Sequence, residues 1–490
     1  MSIAQKAVRG AAWSIVASLA TRGLALVGTL VLMRFVAPDD YGVFAAASVL
    51  VGSANALSTV GTGAYLIVNP SAGRAVTFHA TLLHVGLGAL GFGVVMLFGN
   101  RLGPAFAAPE VVRYVPGLVL AAFLERVAYI PERVLLRELR FGEVSAMRTA
   151  SELVFTASSL ALAALGWGGM ALVVASILRG AVKLAITGLR AAWREWLEPH
   201  RLDASIAKKL SSFGAAFYLA GIAVYASRRW DNLLVSRFFG PGVLGTYNFA
   251  YNLADVPAVN VGEQVTDVLM ASLAHVPREQ QRIALVRTTG ALALMMFPLA
   301  IGLGAVADTL TATLLKKSWE GVAPLLTLLS VLSVPRPIAG AFFAYLQAGK
   351  RPRDAAALEV VSAIVLLGLL ATVGRHSPEV ACLAVGLGFV VRMLLAMYFV
   401  QRIDGTPMTR FLGQLWAPLL ACVPLALAVW GTRRGLGRLG FAPGVVMLVA
   451  EIAAGAIAFV LAAFVFARGP MTEVVQMVRR RRVSVASDDQ

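Results

Sequence analysis

The chain has 490 residues, 58% of them hydrophobic and 14% charged, with a mean hydropathy of +0.77 and a formal charge of +17. Soluble proteins are about 45–50% apolar and about 25% charged, so this composition excludes a water-soluble globule, a disordered chain and a disulfide-bonded secreted scaffold. Long apolar runs recur along the whole chain, leaving no room for a sizeable extramembrane domain, and the surplus basic residues sit in short loops, where they set topology rather than bind nucleic acid.

Runs of ~20 mostly apolar residues, long enough to cross a ~30 Å hydrocarbon layer, predict fourteen spans. In chain order they lie near 11–33, 43–67, 78–99, 112–130, 144–165, 168–189, 212–236, 244–270, 284–307, 321–346, 356–373, 379–400, 411–431 and 442–467. Residues 191–210 read as a polar connector containing Trp193 and Trp196, and 468–490 as a basic tail ending the chain past Arg479 to Arg482. With the N-terminus inside, the inner segments hold 24 of the 43 basic residues and the outer segments 10, which predicts both termini in the cytoplasm. The first run is too long for a cleaved signal peptide and Arg22 interrupts it. Cys382 and Cys422 lie within apolar runs and read as packing residues.

One internal repeat stands out. RFVAPDDYGVFAAA at 34–47 matches RFFGPGVLGTYNFA at 237–250, with Arg34/Arg237, Phe35/Phe238, Pro38/Pro241, Gly42/Gly245 and Ala47/Ala250 identical. A one-residue shift aligns Gly10–Trp13 with Gly214–Phe217. Six spans separate the copies, an even number, so both begin on one side of the membrane. The expected architecture is all-α: two parallel six-helix lobes, 1–190 and 211–402, joined by the 191–210 connector, with an appended helix pair at 403–467 and the 468–490 tail. Such lobes face each other across a cavity near the midplane and rock to open it to one side at a time.

A charge at the bilayer centre costs about 2.5–3.5 kcal/mol on insertion scales, so each needs a partner, a snorkelling route or water. Arg148/Glu152 and Arg228/Asp231 are spaced to pair along their own helices. Arg179 and Lys183 share one face and have no acid on their helix, so either an anion or a neighbouring carboxylate lies opposite them, unless Lys183 snorkels. The repeat carries Arg22 to about position 225, one turn before Arg229, so these two project from equivalent faces of the lobes. Their planar forks suit phosphate oxygens, with Arg126 and Arg336 as further candidates. Asp255 reads either as an ion-coupling site or as the counter-ion of a nearby arginine.

No P-loop, HExxH or Cys/His cluster is present, so no cofactor or metal is expected; the five histidines are scattered singly, and Gly61-Thr62-Gly63 reads as a turn. The opening GAAWSIVASLATRGLALVGTLVLMRFVAPDDYGVFAAA and the later FGAAFYLAGIAVYASRRWDNLLVSRFFGPGVLGTYNFAYNLADVP resemble the first and the seventh and eighth helices of the oligosaccharide flippase (polysaccharide transporter, Wzx-like) family. That family is grouped with the MATE multidrug exporters and the peptidoglycan-precursor flippases. The resemblance implies a flippase, not an enzyme, of the bacterial inner membrane. It would move a lipid-linked oligosaccharide on undecaprenyl pyrophosphate, with the prenyl tail left in lipid, and work beside glycosyltransferases and a polysaccharide polymerase. Two other readings are a MATE-like exporter of cationic drugs, which needs acids dominating the cavity, and a membrane glycosyltransferase or ligase using Asp39 and Asp40.

Overall fold

The computed structural model describes residues 23–467 apart from 70, 259–261, 263–264, 267–268, 270–276 and 350, together with Met471. Arg22, the Gly10–Trp13 copy, Glu263, Asp267 and the Arg479 to Arg482 cluster therefore lie outside the described residues. Regular structure among the described residues is helical. It comprises α1 Gly23–Leu32, α2 Pro38–Leu57, α3 Thr62–Val68, α4 Arg74–Ala105, α5 Val111–Arg137, α6 Phe141–Ala164, α7 Met170–Arg190, α8 Trp193–Trp196 and α9 Ala204–Pro257. There follow α10 Arg278–Ala305, α11 Ala307–Leu314, α12 Val322–Ser333, α13 Pro335–Ala348, α14 Pro352–Thr372, α15 Pro378–Asp404, α16 Met408–Arg438 and α17 Val445–Phe466.

Among the described residues eight helices are long and apolar enough to cross a membrane, with α12 and α13 counted together as the 27-residue stretch Val322–Ala348, or nine if α2 and α3, bent by 55°, form one span. The expected fourteen spans exceed this because α5 and α6 have the length, 27 and 24 residues, but spend it on charge. α9 is two helices joined across a kink at Gly240 (φ 80°, ψ 177°), 54 residues in all, so it holds the predicted span 212–236 and the first part, to Pro257, of the predicted span 244–270. That left-handed φ is where glycine is needed.

The chain divides into two compact units, 1–248 and 249–490. In the first, α5 is central: it packs on α2, α4 and α7, and α6 packs on α7. One end of this bundle is closed by an apolar cluster of Tyr65, Leu66, Ile130, Leu135, Met147, Trp196 and Leu210. The connector is pinned to it, since Glu195 accepts from Arg74 (2.9 Å) and Arg137 (3.3 Å), and the Asp203 amide donates to His79 Nε2 (2.8 Å). Outside the membrane-spanning segments, the Asp203 carboxyl is held below its ordinary range by hydrogen bonds from Ser205.

The two copies of the repeat meet in this unit. A Cβ on Gly42 would lie 1.8 Å from the Pro241 carbonyl oxygen, and one on Gly245 would lie 2.0 Å from the Pro38 carbonyl oxygen. The contact is reciprocal, each glycine receiving the backbone of the other copy's proline. Pro38 begins α2 with Asp39 and Asp40 in its first turn, where the helix dipole favours acids. Substituting Gly42 or Gly245 with Ala is therefore expected to part the two turns at a cost of about 1–3 kcal/mol. The yield of a short cross-linker between Asp39→Cys and Gly242→Cys should fall several-fold in either background; an unchanged yield would show that the glycines are not needed for the approach.

In the second unit α10 packs on α12, α13 and α16, around Leu292, Met296, Phe342, Met397 and Phe411. α16 and α17 pack along each other, with Gly455 against Val429 and Leu425. Their outward side chains, including Leu420, Val423, Leu427, Val449, Ile452 and Leu461, are apolar and exposed, as a lipid-facing surface requires. Glu451, fully buried on α17, accepts from Arg433 (2.9 Å) and Thr309 (2.8 Å), while Arg433 also bonds Asp308 (2.7 Å) and the Ala305 carbonyl (2.6 Å). This network ties α16 and α17 to α10 and α11.

Candidate functional site

Within the first unit, Tyr218, Gly221, Ile222, Tyr225, Arg228 and Arg229 fall at three- and four-residue steps on one face of α9. Opposite them stand Ala56, Thr59 and Gly61, at the end of α2 and in the break before α3. Together these residues line a cavity of about 470 Å³. Three contacts fasten α9 to α2 beside it. The Tyr218 hydroxyl donates to the Leu57 carbonyl, the Tyr225 hydroxyl to the Val49 carbonyl (3.3 Å), and Trp230 Nε1 to Ser53 Oγ (3.0 Å). Gly52 makes room for the Tyr225 hydroxyl, which would lie 2.1 Å from a Cβ there. Arg228 and Arg229 are exposed at the cavity wall, and among the described residues no acid lines it.

Further along the same face α9 turns polar but buried. Asp231 accepts from the Tyr247 hydroxyl (2.7 Å) and Asn232 from Asn248 (2.8 Å), linking the stretches on either side of the Gly240 break. A buried polar network of this kind holds a unique geometry when its members are satisfied.

The other cations expected to meet an anion are already compensated. Arg179 Nε donates to Glu125 (2.9 Å) and its guanidinium lies 5.0 Å over the Phe155 ring. Lys183 pairs with Glu132 (2.9 Å). Of the alternatives left open by the sequence, the neighbouring carboxylate is the one realised: α5 supplies both acids. Glu132 also receives Arg148 (2.5 Å), so Arg148 bonds across to α5 rather than to Glu152 on its own helix. The reason is burial. Glu132 is 2% exposed and needs compensation, whereas a pair along one exposed helix face is worth only ~0.2–0.5 kcal/mol. In the second unit Arg336 binds Asp255 (2.7 Å) and lies over Tyr251 and Phe389 at 5.5 and 5.0 Å, so Asp255 stands as the counter-ion of an arginine. Arg392 and Glu359 form a further pair.

Arg126, 2% exposed, faces away from the cavity. Its guanidinium donates to the carbonyls of His84 (2.6 Å), Ser58 (2.7 Å) and Asn55 (3.2 Å) and to Asn55 Oδ1 (2.5 Å). Of the site residues read from sequence, Arg229 alone among the described ones reaches the cavity, with Arg228 beside it. Tyr218 and Tyr225 were not singled out, although their spacing of seven, continued by Arg229 four residues later, places them on one helix face. Another cavity, of about 320 Å³, lies in the other unit, with the apolar side chains of Phe297, Val334, Val390, Leu415 and Trp416 in its wall.

The whole chain and its fold resemble known proteins. Residues 31–324 match the family described as polysaccharide biosynthesis protein. The chain is 25% identical over 433 residues to the lipopolysaccharide biosynthesis protein WzxC of Escherichia coli (strain K12), covering 86% of this chain and 87% of that one. It is 24% identical over 493 residues to the succinoglycan biosynthesis transport protein ExoT of Rhizobium meliloti (strain 1021), covering 99% and 98%. Among solved structures, the lipid II flippase MurJ in an inward closed conformation superposes with a TM-score of 0.75 at 12% identity, over 93% of this chain and 99% of that one. An inward-facing MATE family transporter of the MOP superfamily does so with a TM-score of 0.58 at 16% identity, over 78% and 96%. The helical fold is thus the one shared by these transporters. The chain belongs to the polysaccharide biosynthesis protein family.

Proposed function

We propose that the protein flips a lipid-linked oligosaccharide, carried on undecaprenyl pyrophosphate, from the inner to the outer leaflet of the bacterial cytoplasmic membrane. The observation that carries this reading is the cavity lined by Arg229 and Arg228, with Tyr218 and Tyr225 beside them and no acid among the described residues of its wall. Arginine forks bind phosphate oxygens bidentately and remain charged at any physiological pH. Tyrosine ring faces suit sugars next to the pyrophosphate. Arg22, one helical turn off Arg229 in the repeat, is proposed to add a third guanidinium to the same site. Cationic drugs would be repelled by these residues.

The proposed architecture is fourteen spans in two parallel six-helix lobes, 1–190 and 211–402, with the pair 403–467 appended and both termini in the cytoplasm. Alternating access of the enclosed cavity then moves the headgroup. The prenyl tail stays in lipid, and the apolar cavity walled by Phe297, Leu415 and Trp416 offers it a surface. A polysaccharide polymerase and glycosyltransferases are the proposed partners.

The test is reconstitution in proteoliposomes with a fluorescent oligosaccharide on polyprenyl pyrophosphate. Protein-dependent loss of inner-leaflet label, competed by the unlabelled pyrophosphate lipid and not by a cationic drug, is the expected result; competition by the drug alone would overturn the reading. Asp39→Asn with Asp40→Asn is expected to retain most transport, because these acids sit in the first turn of α2 beside Gly242 and Gly168. Abolished glycan export with normal protein levels would favour an enzymatic role for that pair.

A further inference from the structure

Among the described arginines within spans, Arg126 is set apart by its acceptors. Among the described residues its acceptors are carbonyls and side-chain amide or hydroxyl oxygens, with no carboxylate. Two of the carbonyls, Asn55 and Ser58, belong to the last turn of α2 and its C-cap, where the helix breaks. A helix end leaves its final carbonyls without internal donors and carries partial negative charge, and inside a bilayer water is not at hand to satisfy them. Here each is met. Ser58 N–H and Oγ take the Ala54 carbonyl, Thr59 N–H takes Ala56, the Tyr218 hydroxyl takes Leu57, and the Arg126 fork takes Asn55 and Ser58. Gly61, at φ 65°, then starts α3 at 55° to α2.

The break is also the cavity wall, since Ala56, Thr59 and Gly61 line it. Arg126 touches the same turn from behind: its third nitrogen donates to His84 O on α4, and Gly88 lies so close that a Cβ there would be 1.8 Å from Nε. One fork thus fastens α2 to α4 across α5 at the bend, and its charge is directed to the end of a helix instead of to the cavity.

We infer that Arg126 is a positioning residue for the cavity: it caps the broken end of α2 and so holds Thr59 and Gly61 where they face Arg228 and Arg229. The inference rests on the cavity being the transport site, but the geometry it predicts can be read without transport. Arg126→Lys discriminates between roles. An ammonium keeps the charge that binding an anion would require, yet it cannot reach His84, Asn55 and Ser58 together.

The experiment uses Thr59→Cys as a reporter in a chain with Cys382 and Cys422 replaced by Ala, purified in detergent, and Leu202→Cys in the connector as the control. The rate of reaction with a small soluble thiol reagent is measured with Arg126 intact and as Arg126→Lys. The expected result is a change of at least fivefold at position 59 and less than twofold at position 202, with glycan export reduced at least tenfold. Tyr218→Phe, which frees only the Leu57 carbonyl, should change the rate at position 59 in the same direction and by less. An unchanged rate at position 59 overturns the inference whether or not export falls, and a parallel change at position 202 overturns it as a global loss of structure. If the cavity proves not to bind pyrophosphate lipid, the labelling difference still stands and only the reading of the cavity fails.

Discussion

Glu132→Gln is expected to lower the thermal midpoint of the detergent-solubilised protein by about 6–12 °C, the largest effect of any single substitution considered. Glu132 is buried and holds Lys183 at 2.9 Å and Arg148 at 2.5 Å, so one carboxylate joins α5 to α7 and α6. Removing one partner of a buried pair leaves charge uncompensated and costs about 3–5 kcal/mol. Arg148 is well exposed and can find solvent or headgroups, which places the expected loss near the lower end, about 3 kcal/mol, and ~2–4 °C per kcal/mol applies to a unit of this size. Replacing Glu132 by Leu and Lys183 by Met together should recover much of the loss, because exchanging a buried pair for apolar side chains of similar volume is often close to neutral. Equal midpoints for wild type and Glu132→Gln would show that the three helices are held by packing alone.

Arg229→Gln is expected to reduce glycan export about 10- to 150-fold while the protein remains inserted at its usual level. The magnitude is that of one charge-assisted hydrogen bond to a charged group, about 1.5–3 kcal/mol. Arg229 is exposed at the cavity wall, one turn beyond Tyr225, so its replacement removes the proposed phosphate-binding group from a position that is not buried. Arg229→Lys should fall between the two, keeping charge but losing the bidentate fork. Export within twofold of wild type for Arg229→Gln, measured beside an Arg228→Gln, Arg229→Gln double variant that is also unaffected, would remove both residues from the site.

The contrast between these two residues explains how much was legible before the fold was known. The stripe of α9 was legible in principle, because Tyr218, Tyr225 and Arg229 share a helix face by spacing alone. The role of Glu132 was not. It lies past the end of the predicted 112–130 span, and its partners Arg148 and Lys183 come from two other helices. Local spacing assigned Arg148 to Glu152, and only the packing of α5 against α6 and α7 offers the nearer, buried acid. Arg126 likewise read as one more cation for an anionic ligand. Its actual acceptors, the carbonyls at the end of α2, exist as free groups only because that helix breaks at Ser58 to Gly61.

By itself the sequence determined that this chain lives in a membrane, that it is helical, where most of its helices run, and that residues 34–47 and 237–250 are two copies of one turn. These follow from properties summed over many residues, apolarity and periodicity, which survive without knowledge of neighbours. Tertiary structure decided which charges are spent on one another. It also brought Gly42 and Gly245 together so that each copy of the turn packs on the other. An intramembrane charge is stabilised by whichever group lies within a few ångströms of it. That distance is set by the packing of helices far apart in the chain, which no spacing along a single helix records.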